Sequence, residues 1–306
     1  MSMVVLGAVF VDIKGYPSGT YIPGGRNAGR VEYVHGGVSR NIAEDLGNLE
    51  LRPTFLSVVD ESGTGADVIA KLEKHKVDTR YIRRVPDGLG TWLAVFDNGN
   101  DICAAISKRP DLSALLDVLR DSGDEIFSAA DSVLLEIDMD KEIVKQVFAL
   151  ARKYRKRVYA AVSNMNIAMD RRDFFREVDC FVCNLQEAEI LFAESYAGPE
   201  PEELSGILAQ KVVSAGMRAM VVTLGGRGAV WATSDGDHGV CPALSVRVED
   251  TTGAGDAFFA GVAAGLTHGK TLADACAVGT RLAASVICTL DNTCPRFMPE
   301  EFGLKV

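Results

Sequence analysis

The chain has 306 residues, 47% hydrophobic and 24% charged, which suits one large α/β core or one core with a small appendage. Its net charge is −10 with no stripe of Lys and Arg, and that argues against a nucleic-acid or anionic-membrane partner, since phosphate backbones and headgroups need clustered cations. No apolar run approaches the ~20 residues of a membrane span, and the opening "MSMVVLGAVFVDI" has neither a basic n-region nor a cleavage site, so a cytoplasmic protein is expected.

"MSMVVLGAVFVDI" alternates as a first strand, with Asp12 at its carboxyl end. Residues 14–35 are rich in Gly, Pro and Tyr, and 88–107 reads as a hairpin around Asp97-Asn98-Gly99-Asn100, a turn that wants positive φ. Neither fits a βα unit. Together they predict a small β lid (14–35 and 88–107) inserted into a main domain of 1–13, 36–87 and 108–306, the alternative being an edge hairpin with no moving role. Beyond residue 110, apolar strands at 132–137, 157–162, 180–184 and 219–225 alternate with amphipathic helices at 141–154 and 201–216. That rhythm predicts a mostly parallel sheet with helices on both faces, and ligands gathered beyond the carboxyl ends of the strands. The seven cysteines are scattered, as reduced core thiols are. Cys180 and Cys183, three apart on a strand, face opposite ways and cannot share a metal.

"EDTTGAGDAFFAGVAAGL" (249–266) concentrates the chemistry. Nothing larger than a hydroxyl or methyl flanks the backbone from Thr251 to Gly255, and the apolar stripe from Ala257 to Leu266 predicts a helix. Unsatisfied N–H groups at a helix start bind anions, so Gly253, Ala254 and Gly255 are the expected anion hole. Asp256 would repel a phosphate held there, and makes sense as the base for a hydroxyl attacking it. The helix dipole predicts an ionised, weakly basic carboxylate. The plainer alternative is that Asp250 or Asp256 is only an N-cap. "GLTHGKT" (265–271) has the wrong spacing and follows a helix, so it is no P-loop.

"DTTGAGDAFFAG" (250–261) resembles the C-terminal signature of the PfkB carbohydrate kinases, the ribokinase-like family, and "GGVSRNIAEDLGNL" (36–49) resembles their N-terminal one. Asn184-Leu-Gln-Glu187 is similar to the family's N-x-x-E motif, and Thr223-Leu-Gly-Gly-Arg-Gly228 to its nucleotide-site turn. The resemblance spans nearly the whole chain and implies a three-layer α/β/α fold with a small β lid. It implies an ATP-dependent kinase with Asp256 as base and Gly253, Ala254 and Gly255 around the transferred phosphoryl group. Asn184 and Glu187 would arrange Mg²⁺ through water, Thr223, Gly225 and Gly228 would shape the ATP site, and 274–287 would pack near the adenine. Asp250 and Thr252 match positions that bind a monovalent cation, often K⁺. On the acceptor side, Asp12, Gly36, Gly37 and Asn41 would hold substrate hydroxyls, with Asp138 as a further contact; a carboxylate and an amide converging on vicinal hydroxyls is what polyol recognition needs. Several relatives pair through the lid, which makes a homodimer an open expectation.

Within the family, the Gly36–Ala43 run is most similar to pseudouridine kinases, with Arg40 the discriminating residue; its plainer reading is a surface Arg. The leading expectation is phosphorylation of the 5′-hydroxyl of pseudouridine. The alternatives are another nucleoside, a free sugar such as ribose or fructose, or a sugar acid if Lys108 and Arg109 face the acceptor. A non-catalytic sugar- or nucleotide-binding protein is a third reading, opposed by the intact Asp256 and glycine turn.

Overall fold

The computed structural model describes residues 1–99 and 101–305, so Asn100, the last residue of the expected hairpin turn, lies outside the described residues. The apolar runs β1 (Met3–Leu6), β4 (Thr54–Val59), β5 (Ile82–Arg84), β8 (Ser132–Glu136), β9 (Arg157–Ala161), β10 (Cys180–Asn184), β11 (Ala219–Thr223), β12 (Ala229–Thr233) and β13 (His238–Cys241) pair into one sheet. Its order is β13-β12-β11-β10-β9-β8-β1-β4-β5. Neighbours run parallel except where β12 meets β11 and β13.

Alternation along the strands feeds two cores. Val4, Leu6, Val133, Leu135, Phe181 and Cys183 face one, and Met3, Val5, Leu134, Cys180 and Val182 the other. The two cysteines therefore point apart, each into its own core. The first core is closed by α3 (Ala114–Ala129), α4 (Lys141–Tyr154), α5 (Met165–Met169), α6 (Leu185–Phe192) and α7 (Pro201–Ala215). The second is closed by α1 (Val38–Asn48), α2 (Gly63–Lys74), α8 (Ala254–Thr267) and α9 (Leu272–Ile287). Helix α4 shows the local logic: Asp140 caps it by accepting from Glu142 N at 2.9 Å, Ile143, Val144, Val147, Phe148 and Ala151 make its buried stripe, and Arg155 in the left-handed region ends it. Helices α8 and α9 approach at Gly261, where a Cβ would lie 2.6 Å from Gly279 Cα.

A second, four-stranded sheet of order β3-β2-β6-β7 joins β2 (Phe10–Pro17), β3 (Gly29–Gly36), β6 (Gly90–Phe96) and β7 (Ile102–Lys108). Here the expected first strand is corrected: it breaks after Leu6, and Asp12 belongs to β2 of the small sheet. At the break, Gly7 leaves room for the side chains of Ser39 and Glu136, with which a Cβ would collide. One face of this small sheet carries Asp12, in register with Trp92, and then Tyr16 stacked on Phe96 at 4.8 Å between centroids. The other face carries the row Tyr33–Ile13–Leu93–Ile106.

Candidate active site

The glycine turn lies beyond the carboxyl ends of the strands. Gly253 is the N-cap of α8 with φ 82°, a conformation natural only to glycine, and a Cβ there would collide with Asn292 O. The helix starts at Ala254, three residues before the expected apolar stripe. Ala254 N bends back to Thr251 O at 3.2 Å and Ala257 N bonds Gly253 O. The N–H groups of Gly253, Gly255 and Asp256 have no acceptor among the described residues. Of the expected donors Gly253, Ala254 and Gly255, the Ala254 N–H is used within the turn, and Asp256 N takes its place among the open ones. At Gly255 a Cβ would meet nothing within 4 Å.

Asp256 accepts from Asn41 Nδ2 at 2.6 Å. Burial pushes its pKa up to about 6, with Asp12 and Glu187 adding to the rise and Asn41 and Arg40 opposing it. The weakly basic carboxylate expected from the dipole is corrected: desolvation outweighs the helix terminus. Asn41 is 5% exposed and its Oδ1 has no partner among the described residues, which leaves a buried acceptor open. Asp12 lies against Gly36, where a Cβ would sit 2.5 Å from Asp12 Oδ2. Burial raises the Asp12 pKa against the pull of Lys14 and Arg40.

Gly37, with φ 99°, is the N-cap of α1 and offers no side chain. Ser39 does not cap it; its Oγ donates to Leu6 O at 2.9 Å. Glu136 does the capping from the sheet, accepting Ser39 N at 3.0 Å and Ala8 N at 3.2 Å; burial pushes its pKa up to about 7. Arg40 is 1% exposed and bonded to Glu44 and to the carbonyls of His35 and Gly36. It is therefore no surface Arg. Asp138 is buried as well. Its carboxylate is taken up by Arg109 Nη1 at 2.9 Å, Ser163 N at 3.0 Å, Ser163 Oγ at 2.8 Å and Asn164 N at 3.1 Å. Lys108 pairs with Asp87, so both cations of 108–109 are already matched to acids.

Asn184 ends β10 and faces Thr223, the end of β11. Asn184 and Glu187 form a capping box for α6: Asn184 Oδ1 accepts from Glu187 N at 2.9 Å, and Glu187 Oε2 from Asn184 N at 2.8 Å. Burial raises the Glu187 pKa, helped by Asp138. Beyond Thr223, Leu224 N bonds Gly228 O at 2.7 Å; Gly228 is crowded by Cys241 O while Gly225 opens outward. Asp250 Oδ1 accepts from Thr252 N and Oγ1, both at 2.9 Å. The structure thus gathers Asp12, Asn41, Glu187 and Asp256 at one edge, with Thr223, Gly225 and Gly228 at the ends of the next strands.

Trp92, Glu136 and Asn292 escape the sequence reading. Glu136 had a signal, a carboxylate in the apolar run "SVLLEI". Trp92 had none without the register between β2 and β6. Asn292 had none either, because its role lies in a backbone carbonyl packed on Gly253.

Residues 1–294 match the profile of the pfkB family carbohydrate kinases. The chain is 30% identical over 295 residues to guanosine-inosine kinase of Exiguobacterium acetylicum, covering 95% of each chain. It is 23% identical to pseudouridine kinase of Escherichia coli, covering 89% of this chain and 86% of that one. Among solved structures, Arabidopsis thaliana ribokinase complexed with ribose and ATP superposes with a TM-score of 0.86 at 20% identity, covering 98% of this chain and 97% of that one. The fold is therefore ribokinase-like, the activity class is phosphoryl transfer to an alcohol, and this chain belongs to the pfkB family of carbohydrate kinases.

Proposed function

We propose that the protein is an ATP-dependent nucleoside kinase that phosphorylates a primary 5′-hydroxyl. The observation that carries the nucleoside reading is the pairing of Asp12 with Trp92 on the inner face of the lid. An acceptor whose sugar hydroxyls lie on Asp12 and the open Oδ1 of Asn41 places whatever hangs from the sugar against that indole. A free pentose has nothing to put there, whereas a nucleobase gains stacking. Phe96 sits edge-on to Trp92 at 6.4 Å and extends the platform.

Asp256 takes the proton of the attacking hydroxyl. The acceptor oxygen bonds to the γ-phosphorus as the bond to the ADP oxygen breaks, and the N–H groups of Gly255 and Asp256 meet the charge on the transferred group. Asn41 orients the base. The Glu187 oxygen left outside the capping box and the neighbouring Asn184 form an all-oxygen set suited to the water shell of Mg²⁺, which neutralises ATP phosphate charge when bound. Asp250 and Thr252 are the donors for K⁺, with one Asp250 oxygen outside the Thr252 turn.

Guanosine or inosine is the leading acceptor, by the 30% likeness to a guanosine-inosine kinase. Pseudouridine is the second reading, supported by the Gly36–Ala43 run, although Arg40 is buried in its pair with Glu44. A sugar acid loses its support with Lys108 and Arg109 already paired. The exposed row Tyr33 (71%), Leu93 (41%) and Ile106 (69%) on the outer lid face supports a homodimer through that surface. The test is ATP consumption with Mg²⁺ and K⁺ over guanosine, inosine, pseudouridine, uridine, ribose and fructose. Turnover confined to free sugars would sink the nucleoside reading and spare the chemistry; no turnover with any acceptor would sink both.

A further inference from the structure

Helix α1 carries an Arg and a Glu one turn apart that the proposed chemistry does not use. Arg40 and Glu44 are each 1% exposed and paired at 2.6 Å. A buried ion pair adds little net stability over apolar residues of the same volume, so its further bonds matter more. Arg40 donates from Nε to Gly36 O at 3.4 Å and from Nη2 to His35 O, both at the root of β3. Glu44 Oε1 accepts from Thr293 Oγ1 at 2.9 Å and from Lys71 Nζ at 3.0 Å. Asn292 closes the circuit. Its Nδ2 donates to the same His35 carbonyl at 2.8 Å, and its own carbonyl occupies the place a Gly253 side chain would need. The segment is laced further to α1 by Cys294 N on Asp45 Oδ1 and Asn48 Nδ2 on Cys294 O, both at 2.6 Å.

We infer that Arg40 and Glu44 are positioning residues that hold the root of lid strand β3 and the glycine turn before α8 in one register, through Asn292 and Thr293. Asp12 lies over Gly36, and Asn292 backs Gly253. A shift of the lid root is thereby passed to the anion hole, so the acceptor site and the phosphoryl site are set together. The inference rests on the kinase reading for its activity assay and on no particular acceptor.

Two mild variants test it. Thr293→Val removes only the hydroxyl joining Glu44 to the 292–294 segment, and Arg40→Lys keeps the charge while losing the fork. Each is measured with the acceptor that the parent chain phosphorylates, and by amide hydrogen exchange of the free protein. Each variant is expected to lower kcat about fivefold or more while the KM for ATP moves less than about twofold. Exchange should quicken at 33–37 and 251–256 together, and the double variant should cost no more than the worse single one, as for residues of one network. Unchanged kcat, quickening at one segment alone, or losses that multiply would each overturn the inference. A parent chain inert with every acceptor would sink the kinase reading instead, and the exchange result would still decide the coupling.

Discussion

A carboxylate three residues into a helix is ordinarily held acidic by the dipole, yet burial pushes Asp256 up to about 6. A base tuned there is ionised at neutral pH and still accepts a proton readily. The acid limb of kcat/KM should therefore fall near pH 6. Replacing Asn41 by Leu removes a bond that favours the charged form, so the limb should move to higher pH; an unmoved limb would assign it to another group. Asp256→Asn should cut kcat by about 10³-fold while calorimetry shows ATP binding retained. The same substitution should stabilise the fold. A carboxyl whose folded pKa lies above its unfolded one supports the native state below pH 3.8, and that support is lost as pH rises through about 6. At neutral pH the charge is a liability, and Asp256→Asn should raise Tm by about 2–4 °C. For the acceptor, Trp92→Ala should raise the nucleoside KM by about tenfold or more, the worth of one base stacked on an aromatic ring, with kcat for a small sugar unaffected.

At the scale of elements, two glycines two residues apart should respond in opposite ways. Gly253→Ala forces a side chain into the left-handed region and onto Asn292 O, and should cost about 2 kcal/mol in urea melts. Gly255→Ala meets nothing within 4 Å, so stability should hold while turnover falls, because the methyl enters the space left for the phosphoryl group. Motifs made of consecutive residues were legible in advance: the glycine turn, the alternating strands and helices, and the opposed cysteines. What was hidden depends on register or on distant backbone. Ser39 and Glu136 fill the space a side chain at Gly7 would need, and the run 3–13 reads as one strand until these neighbours are known. Asp138 and Arg40 read as free polar groups because Ser163, Arg109 and the His35 carbonyl lie far away in sequence or in main-chain atoms.

At the scale of the whole molecule, the small sheet has two faces, one carrying Asp12 and Trp92 and the other the row Tyr33, Ile13, Leu93 and Ile106. If the outer row joins two copies, Leu93→Glu should shift sedimentation from dimer to monomer, and an unchanged sedimentation coefficient would refute that surface. The body sets a further constraint through β1, which lies between β4 and β8, third from one edge of the large sheet. This strand occupies an interior seat with two neighbours. One neighbour follows within about 50 residues, but the other, Ser132–Glu136, emerges only after α3. Until then the growing chain presents an apolar strand with one bare edge, and β2 waits likewise for β6. Parallel pairing over such separations is slow, so β1 and β2 are left exposed to chaperones and to aggregation until β8 and β6 have been made.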